Sequence, residues 1–400
     1  MNLGSTGRWP ETEVHDASTT ATGSADQKLS PVADVPSILP AMHLARLRLR
    51  DFRNYERLDA LFPPGFHLLL GDNAQGKTNV LEAIYLLATL RSFRGVGGQP
   101  MIRQGAKGYF VGATVVGQGE HEIKAYWSLR ERQLTLDGQS VRRLSDYLGT
   151  LRIVVFCTED LQLVKGPGRA RRRYLDLLLA QTQPGYLPLL QRYAHALRSR
   201  NALLKQPVLD EAALDSFSHE LIARGNEIIA HRRALEPTLA SLVGAAAAGV
   251  AVAAEDLRVI YQPGVKEDFA VQLAQSRGRE RAFKMTLVGP HRDELALLLD
   301  GRAAAQFASE GQKRTLALAL KLAQAELLTT VHGTPPVLLI DDVLGELDQR
   351  RRGGFLPLLE RVQAARGQVF MTATAEDWPA LPAGERFRWR IRNGTLAPES

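Results

Sequence analysis

The order of apolar and polar positions marks out most of the secondary structure. From Leu44 to Phe52, Leu47 and Leu49 alternate with Arg46, Arg48 and Arg50, the period-two pattern of a half-buried strand. A short apolar run, Phe66 to Leu70, leads into a glycine, and Asn79 to Leu90 then reads as a buried helix. Tyr109 to Val116 and Glu122 to Leu129 alternate as antiparallel strands do. Leu134 to Leu136 followed by Asp137-Gly138 reads as a hairpin strand and its turn, and Leu151 to Phe156 as a further strand. From Arg169 to about His231 the period becomes helical, with breaks at Pro184-Gly185 and Gln206-Pro207. Leu175, Leu178 and Leu179 share one helix face, and Leu189, Tyr193 and Leu197 another. Phe217, Leu221, Ala223, Ile228 and Ile229 continue the pattern into Ala-rich sequence. Strands return at Leu295 to Leu299, Val337 to Ile340 and Gln368 to Thr372, with a long helix starting at Ser309. The pattern predicts a β-α core split by a helical insertion.

Residues 1 to 41 stand apart. They are rich in Ser, Thr, Ala and Gly, carry Pro31, Pro36 and Pro40, and show no periodic apolar face. Such a segment buries too little surface to order itself. It is expected to be a disordered extension or a mis-assigned start, with Met42 as the natural beginning. The expected division after it is 42–168, 169–284 (helical) and 285–400.

Composition then narrows the class. The chain has 400 residues, 45% hydrophobic, enough for a large core without disulfides or a structural metal. A single cysteine, Cys157, excludes an intrachain disulfide and a Cys-based zinc site, and fits a reducing, cytoplasmic setting. The apolar stretch Gly244 to Ala254 is too short to span a bilayer, so no membrane role is expected. The net charge of +7 permits an anionic partner. Residues 1 to 41 hold Arg8 and Lys28 against Glu11, Glu13, Asp16, Asp26 and Asp34, so the rest of the chain is more basic than the whole.

Gly71-Asp72-Asn73-Ala74-Gln75-Gly76-Lys77-Thr78 satisfies the phosphate-loop pattern G-x-x-x-x-G-K-[ST], with a strand before it and a helix after it. The N–H groups of such a loop cradle phosphates, its lysine reaches the β and γ oxygens, and its hydroxyl ligates Mg²⁺. Val337 to Ile340 ends in Asp341-Asp342. At the C-terminal end of a buried parallel strand, Asp341 is placed to coordinate Mg²⁺ and Asp342 to orient or deprotonate a water; two helix caps are the structural alternative. Ser309-Glu310-Gly311-Gln312 opens the long helix with a capping box. A glycine in a first helical turn costs stability and suits close approach of backbone to a ligand.

In this order the motifs resemble those of ABC-type ATPases, and within that class the RecF family of bacterial recombination mediators, related to Rad50 and SMC heads. The blocks that carry the resemblance are FRNY at Phe52 to Tyr55, GDNAQGKTNVLEAI, RSFR at Arg91 to Arg94, TEDLQLVKG and RRRYLD at Arg171 to Asp176. VGPHRDE at Val288 to Glu294, SEGQKRT and LLIDDVLGELD complete the set. It runs from about residue 42 to the C-terminus. The fold implied is an ABC-type P-loop ATPase head, α/β, with mixed and antiparallel sheets packed on helices, an inserted α-helical arm and no long coiled coil. The function implied is a slow ATPase switch that uses ATP and Mg²⁺. Two heads join head to tail on ATP, bind duplex DNA near single-stranded gaps without sequence preference, and help RecO and RecR load the recombinase. The resemblance assigns nucleotide contacts to residues 71–78, Asn79 and Arg53 from one subunit, and to Ser309, Gly311, Gln312 and Asp348 across the interface. Thr78 and Asp341 would hold the metal; Lys77 and Asp342 would be catalytic.

The chain departs from the wider class in three places. Asp342 stands where Glu is usual, which fits slow hydrolysis. Met371-Thr372-Ala373 occupies the region of the switch histidine, with Thr372 the substitute candidate. No glutamine stands at Cys157 to Asp160, where the glutamine loop is expected. Two arginine clusters, at Arg169 to Arg173 and Arg350 to Arg352, are candidates for DNA phosphate contacts or ordinary solvated faces. A transporter ATPase subunit, an SMC-like cohesion protein and a small-molecule kinase share parts of the pattern. The first lacks the RecF blocks, the second needs long heptads absent here, and the third leaves the Ser309 helix and Asp348 unexplained.

Overall fold

The structure is a computed structural model that describes residues 41–250, 256–343, 348–373 and 385–399. The extension expected to be disordered lies outside the described residues up to residue 40, as do Gly345, Glu346 and Leu347.

Three sheets organise what is described. The first is antiparallel, built from β1 (His43–Phe52), β2 (Tyr55–Leu61), β4 (Gly108–Val116), β5 (Glu120–Ser128), β6 (Arg132–Leu136) and β7 (Gln139–Ser140), in the order β2-β1-β4-β5-β6-β7. Asp137-Gly138 forms the expected turn between β6 and β7, both residues at positive φ. The second sheet has the order β15-β14-β3-β13-β12-β8, from β3 (Gly65–Leu70), β8 (Ile153–Phe156), β12 (Val337–Ile340), β13 (Gln368–Ala373), β14 (Arg386–Arg392) and β15 (Thr395–Pro398). Its strands β14, β3, β13, β12 and β8 run parallel, and those buried on both faces, β3, β13, β12 and β8, read as near-continuous apolar runs. The third sheet, β11-β10-β9, joins β9 (Leu257–Gln262), β10 (Glu294–Leu299) and β11 (Arg302–Ala303).

The helices are α1 (Lys77–Thr89), α2 (Leu144–Tyr147), α3 (Gln162–Lys165), α4 (Gly168–Thr182), α5 (Tyr186–Leu203), α6 (Glu211–Val250), α7 (Phe269–Phe283), α8 (Ala304–Phe307), α9 (Glu310–His332), α10 (Gln349–Gly353) and α11 (Leu356–Ala364). Helix α1 fills the space between the antiparallel sheet and one face of the mixed sheet. Helix α9 is apolar on two sides. Leu316, Leu320, Ala323 and Leu327 pack into the helical core, while Leu318, Leu322, Ala325 and Leu328 pack with α11 on the other face of the mixed sheet. Two elements differ from expectation. The segment read as helical throughout contains β9, which pairs with β10, because Val259 and Tyr261 are buried while Arg258 and Gln262 face solvent, at the period of a strand. Ala223, expected on the apolar face of α6, is exposed; a methyl group carries too little area to set a helix's orientation.

Two of the recognisable sequence blocks serve the helical core. Arg232, wholly buried on α6, donates to Asp293 (2.6 Å), Asp176 (2.6 Å) and the Pro290 carbonyl (2.8 Å). Tyr186 donates to Asp176 at 2.7 Å, and Tyr261 donates to Asp293. RRRYLD and VGPHRDE thus meet around one buried guanidinium. Removing one partner of such a group strands the opposite charges in low dielectric. Arg232→Ala is expected to lower unfolding stability by about 3–5 kcal/mol, measured by urea denaturation, whereas Arg224→Ala, at a surface pair with Glu220 and Glu227, should cost far less, since solvent screens the charges it removes.

Candidate functional site

The parallel strands deliver their loops to one edge. Leu70 is in register with Ala373, and Ile340 with both Met371 and Phe156, so β3, β13, β12 and β8 end side by side. The 71–78 loop follows β3. Its backbone bends through positive φ at Gly71 (155°), Ala74 (65°) and Gly76 (117°). Glycine is required at the first and last of these. A Cβ at Gly71 would lie 2.4 Å from the Ile391 carbonyl, and one at Gly76 would lie 2.7 Å from the Asn54 amide. Asp72, Asn73 and Ala74 form the exposed tip. Lys77 is buried, its ammonium folded back on the carbonyls of Gly71 (2.6 Å) and Asp72 (3.1 Å).

Two hairpins grip Gln75. From the N-terminal side, Asn54 donates to the Gln75 carbonyl at 2.8 Å, Asn79 donates to Asn54 at 2.8 Å, and Tyr55 donates to the Gly76 carbonyl at 3.2 Å. From the C-terminal side, the Gly394 N–H donates to the Gln75 carbonyl at 3.1 Å and the Asn393 N–H to its side chain at 2.7 Å. The β14–β15 hairpin was missed in the sequence. Asn393-Gly394, both at positive φ, was its signal, a tight-turn dipeptide after the alternating Arg386–Arg392 strand.

At the end of β12, Asp341 accepts from Thr78 Oγ1 and from Thr372 Oγ1, each at 2.9 Å, on the same carboxylate oxygen. The first residue of one motif and the last of another thus meet, with Thr372 between them from β13. Burial pushes the Asp341 carboxyl up to about 6, against the two hydroxyl donors and with a contribution from neighbouring Asp342. Asp342 is exposed and has φ 52°, a region that asparagine and aspartate tolerate better than most residues. Its N–H donates to Thr372 Oγ1 at 2.9 Å, which fixes the bend. A hydroxyl and a carboxylate oxygen 2.9 Å apart form the hard-oxygen pair that suits Mg²⁺, a metal that takes few protein ligands and fills its shell with phosphate and water. Among the described residues no cluster of three or more His, Cys, Asp or Glu side chains offers an all-protein metal cage.

Arg53 lies in the β1–β2 turn at φ 56° and forms a two-pronged pair with Glu82 of α1, at 2.8 and 2.7 Å. Glu82 is fully buried and also accepts from Ser92 of the RSFR block at 2.5 Å. A lone glutamate among the apolar residues of α1 gave no signal in the sequence. The expected glutamine-loop region holds Cys157, buried, its thiol pushed up by burial, and Asp160, pushed up to about 6 for the same reason and opposed by Lys321 of α9. The region therefore bears on α9 through charge: Lys321 lies 3.9 Å from Asp160, and Lys165 pairs with Glu310.

Ser309 caps α9 with the full capping box: its hydroxyl accepts from the Gln312 N–H at 3.2 Å, and the Gln312 side chain accepts from the Ser309 N–H at 2.6 Å. Asp348 caps α10, accepting from the Arg351 N–H at 2.9 Å. Arg351 joins the two helix starts. Its guanidinium pairs with Asp348 and donates to the Gly311 carbonyl (3.0 Å) and to Thr315 (2.8 Å). A Cβ on Gly311 would meet that guanidinium at 3.2 Å. Other arginines of the two clusters are likewise engaged inside the chain. Arg171 holds Glu294 with two bonds, at 2.6 and 2.8 Å, and Arg172 donates to the Asp293 carbonyl at 2.7 Å. A charge run in sequence does not distinguish such internal partners from an exposed face.

The raised Asp341 gives a pH prediction. Its folded pKa, about 6, lies above its ordinary value of 3.8, so the folded state binds the proton more tightly. The stability tied to that proton is fully present below pH 3.8 and is lost as pH rises through about 6. Asp341→Asn keeps an acceptor for both hydroxyls and removes the charge. It is expected to raise the stability of the nucleotide-free protein by about 1–3 kcal/mol near neutral pH and by much less at low pH, read by thermal melts across pH.

Comparison with known proteins identifies the family. A family profile described as "RecF/RecN/SMC N terminal domain" matches residues 43–378. The chain is 39% identical over 376 residues to the DNA replication and repair protein RecF of Symbiobacterium thermophilum, covering 89% of this chain and 98% of that protein. It is 42% identical over 376 residues to the protein of the same name from Thermosynechococcus vestitus, covering 90% and 98%. A solved structure of the recombination mediator protein RecF-ATP in the RecFOR pathway superposes with a TM-score of 0.83 at 30% identity, covering 92% of this chain and all of that one. By profile, sequence and structure, the chain belongs to the RecF family of DNA replication and repair proteins.

Proposed function

We propose that this chain is an ATP-gated, DNA-binding recombination mediator whose head closes into a head-to-tail dimer on ATP. The observation that carries the reading is the Thr78–Asp341 hydrogen bond of 2.9 Å, which joins the phosphate loop to the carboxylate strand in a chain that also presents a capped Ser309 helix start at its surface. The N–H groups of residues 71–78, with Asn79 at the helix start, would bind the nucleotide phosphates, and Lys77 would leave the Gly71 and Asp72 carbonyls for the β and γ oxygens. Thr78 and Asp341 would hold Mg²⁺, which when bound neutralises phosphate charge. Asp342, held by Thr372, would orient or deprotonate the attacking water; its short side chain fits slow turnover. Arg53, anchored on Glu82, stands beside the loop as a further phosphate contact. Ser309, Gly311 and Gln312 would meet the γ-phosphate bound to the partner subunit, and Asp348 would lie at that same interface.

In this reading 42–168 and 285–400 form the head and 169–284 an arm, with β9 tying the arm to the second half. RecO and RecR would be its protein partners in loading the recombinase, in the cytoplasm, and duplex DNA near single-stranded gaps its target. No described helix is long and apolar enough to cross a membrane. Contacts to DNA would go chiefly to phosphate, so binding should fall steeply with salt. Sedimentation tests the switch: a dimer with ATP and Mg²⁺ and a monomer with ADP are expected, and a monomer in both would sink the reading. Lys77→Met should abolish ATP binding. Ser309→Arg should bind ATP with nearly unchanged affinity and remain monomeric, because its defect lies in the partner's site.

A further inference from the structure

The inner face of the antiparallel sheet packs on α1; the outer face carries a different chemistry. Strand register sets Arg57, Arg50, Phe110, Tyr126 and Gln133 in one row across β2, β1, β4, β5 and β6. The next row runs Asp59, Arg48, Gly112, Lys124 and Thr135, and a third runs Leu61, Arg46, Thr114 and Glu122. In these rows five cations face two carboxylates, and both carboxylates are taken: Arg46 pairs with Asp59, while Arg48 and Lys124 pair with Glu122. Arg50 and Arg57 stand directly opposite each other and are exposed. Among the described residues neither makes an ion pair or side-chain hydrogen bond, although Arg57 lies within Coulombic range of Asp59. Like charges placed directly across a strand pair cost stability, and an anion lying between them relieves that cost.

Beside the two arginines lie two aromatic rings, both half-buried. Phe110 lies down over Gly112, where a Cβ would meet its Cζ at 2.8 Å, and the Tyr126 hydroxyl sits over Gly108, where a Cβ would meet it at 3.0 Å. Glycines thus clear space for rings that lie along the sheet instead of standing off it. From Arg57 to Tyr126 the row crosses three strand spacings, about 14 Å.

We propose that this face is a stacking platform for an unpaired nucleic-acid strand. Two bases lie on Phe110 and Tyr126, and the adjoining phosphates lie on Arg50 and Arg57. A sheet bearing adjacent aromatics holds two or three bases in this way, and a ring on a flat sheet can stack on the base faces that a single strand leaves uncovered, whereas those inside a duplex are covered by their neighbours. The charge fits a phosphate backbone and opposes a cationic partner. The proposal rests on the reading that the chain binds DNA, and it says where the unpaired strand beside a duplex is held.

The test uses the full chain with ATP and Mg²⁺, titrated against fluorescein-labelled oligo(dT) and, separately, a blunt duplex, by anisotropy. Phe110→Ala and Tyr126→Ala are each expected to weaken oligo(dT) binding by about 5- to 100-fold, with duplex binding within about twofold and Phe110→Tyr close to the wild type. Arg50→Gln with Arg57→Gln, both at exposed positions that folding does not need, should reduce the salt dependence of oligo(dT) binding by about two phosphate contacts. Thermal melts check that every variant is folded. The platform is overturned if the folded variants bind oligo(dT) as the wild type does, or lose duplex binding equally. Wild-type binding of duplex without oligo(dT) overturns the platform and leaves the DNA reading standing. Binding of neither overturns both.

Discussion

The parallel register of β3, β13, β12 and β8 is the constraint on which the site depends. Because Leu70 aligns with Ala373 and Ile340 with Met371 and Phe156, four separate stretches of chain must release their loops at one edge, at a strand spacing of about 4.8 Å. Thr78, Thr372 and Asp341 come from three of those strands or the loops that follow them, and one carboxylate oxygen satisfies both hydroxyls. A one-residue slip of β12 would turn Asp341 to the opposite face of the sheet. The buried apolar faces of the sheet, packed against α1 on one side and α9 with α11 on the other, forbid that slip.

Helix α9 extends the constraint to the rest of the molecule. Buried along two stripes, it belongs to two cores at once, so its first turn is positioned by packing on both sides. Arg351 then fixes that turn to Asp348 through the Gly311 carbonyl. The glycine in this turn, which looked like provision for a ligand, also makes room for a guanidinium of its own chain. Two segments expected at a partner's nucleotide are thereby held as one unit within a single subunit.

Much of this was legible because spacing carries chemistry. A glycine-lysine-threonine loop after a strand, and paired carboxylates at the end of another, have few geometries in which they coexist, and Thr78 and Asp341 meet in the structure. What escaped was chemistry with no local signature. Glu82 in an apolar helix and Arg232 in an amphipathic one look like ordinary surface residues until the fold supplies Arg53, Asp176 and Asp293. The arginine runs escaped in another way: Arg171, Arg172 and Arg351, read as candidates for DNA phosphates or a solvated face, hold partners inside the chain. The alternation of Arg46, Arg48 and Arg50 marked only the polar face of a strand, since cross-strand neighbours such as Arg57 and Phe110 are set by pairing and not by sequence distance.

The double grip on Gln75 has a consequence for biosynthesis. The loop leaves the ribosome early, with Asn54 and Tyr55 already made, but Asn393 and Gly394 emerge only after more than three hundred further residues. Domains of growing chains begin to fold from the N-terminal side. Here the antiparallel sheet can form first, while the loop keeps one of its two clasps open until Asn393 and Gly394 have been made. A nascent chain stalled between Thr78 and Asn393 would thus carry every residue of the loop and still lack the second pair of bonds that holds Gln75 in place.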